Sequence, residues 1–258
     1  MSTQAKLNRV RIGSLSVDRV TLNGALDAID SLVAAKAGGR VFTPNVDHVV
    51  QVEHDARFRA AYADVSLSLV DGMPLLWAGR LLKTPFPAKV SGSDLIMPLM
   101  RRAAERGHRV YFLGGAAGAA ELAQQKMLEE LPSLKIVGTD GARVDVNGAA
   151  DVQAPILARI RVAQPDLLLV ALGAPKQEIW SHEHRAQLGS AVAIGVGASL
   201  DFIAGAQRRA PKWMSDSGLE WAYRLAQDPR RMAGRYLLRD PQFFGIVARQ
   251  MLAAPRAP

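Results

Sequence analysis

The chain has no cysteine, which excludes disulfides, thiolate metal sites and a cysteine nucleophile. Aromatic residues are few, at 6% of 258. No apolar run reaches the ~18–20 residues that a membrane-spanning helix needs. The first seventeen residues contain no continuous apolar stretch, so neither a signal peptide nor an anchor is expected there and a cytoplasmic location is the default. Low-complexity segments and long-period repeats are absent. The five histidines are His48, His54, His108, His182 and His184, with no HExxH among them. His182 and His184 are two apart and would face different directions on a helix. There is also no Asp-x-Asp pair of the kind that anchors a divalent ion on a nucleotide-sugar diphosphate. No metal site and no cofactor are expected.

What is present starts with apolar content: 49% hydrophobic residues over this length suffice for a large core. Strand-like runs at 109–113, 134–137, 166–172 and 191–196 alternate with helical patterns at about 118–130, 150–163 and 176–187. Strands apolar on both faces, separated by amphipathic helices, predict a Rossmann-like parallel sheet covered on both sides. A less regular α/β portion precedes it, with helices at about 22–36, 53–62, 74–82 and 93–106 and strands at 41–43 and 67–70. After Gly205, the helix-starting prolines Pro211, Pro229 and Pro241 predict three short helices. The expected organisation is an α/β catalytic core over 1–205, with its central unit at about 107–205, and a helical appendage over 206–258. All readable strands precede residue 197, so the core is expected to fold without the appendage.

Charge is concentrated in that appendage. The net charge of the chain is +8, and residues 205–258 carry ten Lys/Arg against four Asp/Glu, interleaved with Trp213, Trp221, Tyr223 and Tyr236. Such a segment seeks anions: nucleic acid, phospholipid head groups or a diphosphate. Its last helix places Phe243, Phe244, Ile246, Val247 and Met251 largely on one apolar side, suited to the core or to a membrane surface.

Candidate chemistry sits where strands end, since ligands of parallel sheets bind beyond the carboxyl ends of strands. Thr43-Pro44-Asn45 could hydrogen-bond a sugar or ribose, or form a Pro-Asn turn bonded to its own backbone. Asp71-Gly72 offers a carboxylate that could take a proton from an attacking hydroxyl, or an ordinary Asp-Gly turn. Asp94 suits the first turn of a helix. Gly114-Gly115 leads into a helix N-terminus, where a diphosphate binds well, though close helix–strand packing explains the glycines equally. Lys176 and Gln177 open another helix: the first offers a point charge for phosphate, the second donors and an acceptor for a sugar. A cation in a helix's first turn opposes the dipole, which favours a functional reading of Lys176. Asp201 could accept from a uracil N–H or a ribose hydroxyl, or be a first-turn carboxylate.

Taken together, TPNVDH (43–48), VDGMPLLWAGRLL (70–82), SGSDL (91–95), YFLGG (111–115), GAPKQE (173–178), GVGASLDFIAG (195–205) and RRAPKWMSDSGLEWAYRL (208–225) closely resemble the WecG/TagA/CpsF glycosyltransferase family, over about residues 10–240. The resemblance implies an inverting, metal-independent enzyme. Its donor would be a UDP-sugar, often of the N-acetylmannosamine type, and its acceptor a sugar on polyprenyl diphosphate, in surface polysaccharide or teichoic-acid synthesis. It implies Asp71 as base, Thr43 and Asn45 in the pocket, and Gln177 and Asp201 near the donor. It further implies that the appendage closes the site with arginines, here Arg224 and Arg231, and approaches the anionic inner face of the plasma membrane. Lys176, Lys89 and helix N-termini would help to hold the diphosphate. The sequence departs from the family at Ala88-Lys89, where Glu-Arg is usual, so the bidentate fork is lost. It departs again at Gly141-Ala142-Arg143, which lacks an aromatic. Self-association into a homo-oligomer is left open. A nucleic-acid-binding protein would not explain polar residues at four strand ends, and a dinucleotide-dependent enzyme would need a glycine fingerprint that is absent.

Overall fold

The computed structural model describes residues 8–141 and 150–253, with the side chains of 150–152 and 231 excepted. The expectations at 142 and 143, and the side chain of Arg231, lie outside the described residues.

A hairpin opens the fold: β1 (Arg9–Ile12) pairs antiparallel with β2 (Leu15–Asp18), with Val10 opposite Val17 and Ile12 opposite Leu15. All four are buried, so this short ribbon serves as a lid on the core. It was not anticipated from the sequence, because four-residue strands are too short for a clear period-2 signal. Helix α1 (Leu22–Ala35) follows, then β3 (Gly39–Phe42). One helix was expected at 53–62; two are found, α2 (Val46–His54) and α3 (Ala56–Ala63). Asp55 separates them because its carboxylate accepts the N–H groups of Arg57 and Phe58, starting a new helix. Next come β4 (Leu67–Ser68), α4 (Met73–Leu81) and α5 (Gly92–Arg106).

The central unit runs β5 (Arg109–Gly114), α6 (Ala119–Glu130), β6 (Lys135–Asp140), α7 (Ala150–Ala163), β7 (Leu167–Ala171), α8 (Lys176–Glu183), α9 (Arg185–Leu188), β8 (Val192–Gly195) and α10 (Ser199–Ala204). Six strands form one parallel sheet in the order β4-β3-β8-β7-β5-β6. Side chains alternate between its faces. Leu167 and Leu169 of β7 pack with α1, α5, α6 and α10, while Leu168 and Val170 pack with α7, α8 and α9. This is the doubly covered parallel sheet that near-continuous apolar strands predict.

After Gly205 the described residues form four helices where three are expected, α11 (Lys212–Asp216), α12 (Glu220–Gln227), α13 (Pro229–Ala233) and α14 (Gln242–Ala253), with a π-helical segment at Gly234–Arg239. The unexpected one, α12, starts without a proline. The apolar side of α14 is split. Phe243, Ile246 and Val247 are buried in the cluster formed by the hairpin, α2 and α3, whereas Phe244 and Met251 are exposed. Gln250 clasps the hairpin, donating to Arg11 O and accepting from Gly13 N–H, both at 2.8 Å. The face read as core- or membrane-seeking is therefore mostly core.

Candidate active site

Every strand from β3 to β8 except β6 delivers a candidate residue to the same end of the sheet. Beyond β4 the chain stays extended, and Asp71 N–H donates to Pro44 O at 2.9 Å, pinning the aspartate beside the end of β3. Gly72, at φ 101°, supplies the left-handed turn that lets α4 begin immediately afterwards. Asp71 lines a cavity of ≈ 310 Å³, and its carboxyl is pushed up to about 6. Burial is the main cause; the nearby Glu220 carboxylate adds to it, while Arg224 and Lys89 oppose it. A carboxylate tuned towards neutrality suits a general base.

Thr43 and Asn45 enter the same cavity from β3. The structure combines the two readings of this motif, because Asn45 both lines the cavity and caps α2, its Oδ1 accepting Asp47 N–H at 3.1 Å. Arg235 from the appendage donates to that same Oδ1 at 3.1 Å. Thr43 is buried, with Oγ1 3.5 Å from Gly195 O.

Gln177 reaches the cavity from α8. Its Oε1 accepts Gly197 N–H at 3.0 Å and its Nε2 donates to Glu178 at 2.7 Å, leaving one amide hydrogen for a ligand. A Cβ at Gly195 would stand 2.8 Å from Gln177 Nε2, so glycine there makes room for this side chain. Lys176, by contrast, is exposed and is not among the residues lining the cleft.

A second cavity of ≈ 690 Å³ adjoins the first and shares Gly173, Gly197, Ala198, Phe202, Arg224 and Met232 with it. Gly115 and Asp201 line this larger part; Gly114 is buried just behind, at the end of β5. Asp201 is already engaged, because its Oδ1 accepts Ala116 N–H at 2.7 Å and so shapes the glycine turn.

The appendage forms the opposite wall. Arg224 lines both cavities and pairs with Glu220, at 3.0 Å from Nε and 2.5 Å from Nη2. Burial pushes the Glu220 carboxyl up, but Arg224 and a bond from Ser215 outweigh it and hold it below the usual range. Lys89 is half a step back, donating to Ser215 Oγ at 2.7 Å and lying 3.4 Å from Asp94. Asp94 also accepts from Arg209, so these two residues fasten the appendage to the core. Arg235 and Arg239 approach Asp47 at 3.5 and 2.5 Å. Among the described residues, no group of three or more His, Asp or Glu side chains is placed to hold a metal ion.

Glu220, Arg235, Arg239, His48 and Glu178 also stand in or beside this site, although their local sequence does not single them out. The exception is Glu220, whose spacing from Arg224 makes a helical i, i+4 pair; nothing local connects Arg235 and Arg239 to Asp47.

A parallel sheet whose strand ends deliver polar residues to one cleft, roofed by an arginine-bearing appendage, is an α/β framework suited to holding an anionic ligand. Comparison with known proteins supplies the family: the model of the glycosyl transferase WecG/TagA/CpsF family matches residues 10–257, and the chain belongs to that family. It is similar to N-acetylglucosaminyldiphosphoundecaprenol N-acetyl-beta-D-mannosaminyltransferases. With that of Bacillus spizizenii it shares 29% identity over 220 residues, 85% of this chain and 82% of the relative. With that of Staphylococcus aureus it shares 27% over 236 residues, 90% and 91% of the two chains.

Proposed function

We propose that this protein transfers an N-acetylmannosamine-type sugar, or a related hexose, from a UDP-sugar to a sugar carried on polyprenyl diphosphate, with inversion and without a metal. The observation that carries this reading is that Asp71 and Arg224 line one cleft. The larger cavity, beside the glycine turns and the start of α6, suits the nucleotide; the smaller one suits the sugar. The acceptor hydroxyl attacks the anomeric carbon while Asp71 takes its proton and UDP departs from the opposite face. Asn45, Thr43 and Gln177 orient the sugar. Arg224, helped by Lys89 and the uncapped N-terminus of α6, offsets the charge growing on the leaving diphosphate. Incubation with a panel of UDP-sugars and a short-chain prenyl-diphosphate glycan, read by mass spectrometry, tests the reading directly. Absence of any glycosylated product across the panel defeats it. Because the sequence has no Asp-x-Asp pair and, among the described residues, no group of three or more His, Asp or Glu is placed to hold an ion, transfer is expected to continue at full rate in excess EDTA; a strict need for Mn²⁺ or Mg²⁺ would show that the diphosphate is neutralised differently.

A lipid-linked acceptor also requires access to a membrane. No helix among the described residues is long and apolar enough to cross one. The reading is therefore peripheral association through the appendage, which exposes Trp213, Trp221, Leu237, Leu238, Phe244 and Leu252 among its arginines. Leu237→Ser with Leu238→Ser is expected to reduce sedimentation with anionic vesicles while leaving UDP binding unchanged. Near-surface Lys/Arg contribute about 1 kcal/mol each, so wild-type binding should weaken as salt rises. Equal sedimentation of wild type and variant would remove this surface from the proposal.

A further inference from the structure

Glu178 has no part in the chemistry above, yet it is fully buried, at 0% exposed. A carboxylate in such a place is costly, and only one of its oxygens is satisfied: Oε2 has no hydrogen-bond partner among the described residues. Its Oε1 is shared by two donors from different parts of the chain: Gln177 Nε2 at 2.7 Å and His48 Nε2 at 3.3 Å. The His48 ring is held in place by Phe58 and Tyr62, with centroids 5.5 and 6.2 Å away, and is itself only 3% exposed. On its other side, Nδ1 meets Asn45, 3.3 Å from the backbone N and 2.8 Å from Oδ1. One buried oxygen therefore joins the segment after β3, which carries Asn45, to the segment after β7, which carries Gln177.

An amide side chain has two nearly isosteric orientations, and its fixed partners decide which end faces a ligand. Gln177 Oε1 is engaged by Gly197 N–H, so Nε2 is the end turned towards Glu178, whose Oε1 accepts from it. His48 turns its Nε2–H towards the same oxygen, which leaves Nδ1 to accept Asn45 N–H, while Asn45 Oδ1 takes its hydrogen bonds from Asp47 N–H and Arg235. We infer that Glu178 is a positioning residue for sugar transfer: its single shared oxygen fixes the orientation of the Gln177 amide directly and, through His48 Nδ1, holds the Asn45 backbone N–H, so that both pocket residues keep the placement they present to the donor sugar. This rests on the reading of the cleft as a UDP-sugar site.

The test uses the full-length protein with Glu178→Leu and Glu178→Gln, each alone and combined with Gln177→Ala. Glu178→Leu is expected to lower kcat/KM for the UDP-sugar by about 10²-fold, the scale of a small misplacement of a positioning group. Affinity for UDP alone, measured by calorimetry, should stay within roughly twofold, because the amides face the sugar and not the nucleotide. Glu178→Gln should recover most of the activity, since an amide oxygen can accept both bonds. In the Gln177→Ala background, Glu178→Leu should cost less than roughly tenfold more, because part of what it positions is already gone. The same fold loss in both backgrounds, or UDP affinity falling in step with activity, would assign Glu178 a merely structural role and overturn the inference. Should Glu178→Leu not fold, His48→Leu measured against Asn45→Ala provides the equivalent cycle, and additivity there overturns it equally. A wild type that accepts no UDP-sugar overturns the proposed donor and this inference together; an active wild type with additive variants overturns this inference alone.

Discussion

Asp71→Asn is expected to yield a folded protein that still binds UDP but turns over about 10²-fold or more slowly, the usual scale of general-base catalysis. The substitution is isosteric and removes only the ability to take a proton. Because the carboxyl is pushed up to about 6, mainly by burial and next by Glu220, the wild-type rate should fall as pH drops through about 6. That acid limb should vanish in the variant. Stability gives an independent reading with the opposite sign. An acid whose folded-state pKa lies above its ordinary 3.8 makes no unfavourable contribution below that value. The penalty grows as pH rises towards 6 and persists above it. Asp71→Asn should therefore raise Tm at pH 8 and change it little at pH 3.5. Wild-type turnover in this variant, or an unchanged acid limb, would remove Asp71 from the role of base.

Arg224→Ala is the second large effect expected: a fall in kcat/KM of about 10²–10³-fold, comparable to the loss of one preorganised charge-stabilising donor. Among the described residues, Arg224 is the one cation that lines both cavities, the one with Asp71 and the one with the glycine turns. Lysine in its place should recover only part of the activity, because a point charge cannot reproduce the planar fork that now meets Glu220. Deletion of 206–258 should also abolish transfer, but it is the weaker experiment. It removes Phe243, Ile246 and Val247 from the core, and each such side chain contributes roughly 1.5–3 kcal/mol when fully buried. The truncated protein should therefore melt well below the full chain, and lost activity could not be ascribed to lost charge. If Arg224→Ala turns over normally, the appendage does not act on the diphosphate through this residue.

How far the fold could be read from the residues depended on the length and the locality of each signal. Strands β5, β7 and β8 and helices α5 and α6 are long or sharply bounded, and their apolar periods are visible in isolation. The β1–β2 hairpin is not, because its eight strand residues gain a burial pattern only once α14 and α2 cover them. Helix α2 was hidden by Pro44-Asn45, whose turn chemistry is also cap chemistry. On α14 the apolar side was legible, but which half would be covered by the hairpin was not.

The candidate site divides in the same way. Asp71, Asn45, Gln177 and Arg224 are short-range signals: polar residues placed directly after apolar strands, or a charged residue in a recurring motif. The convergence of the first three follows from a parallel sheet, which points all its strand ends in one direction, whereas Arg224 arrives from α12 of the appendage. The raised pKa of Asp71, the pairing of Arg224 with Glu220, the clasp of Arg235 and Arg239 on Asp47, and the exposure of Lys176 were decided by packing. So was the bond between His48 and Glu178, 130 positions apart in the chain. Hydrophobic periodicity and motif order are local properties that a sequence carries by itself. Desolvation and the partner of a buried charge depend on which distant segments meet, and only the tertiary structure determines that.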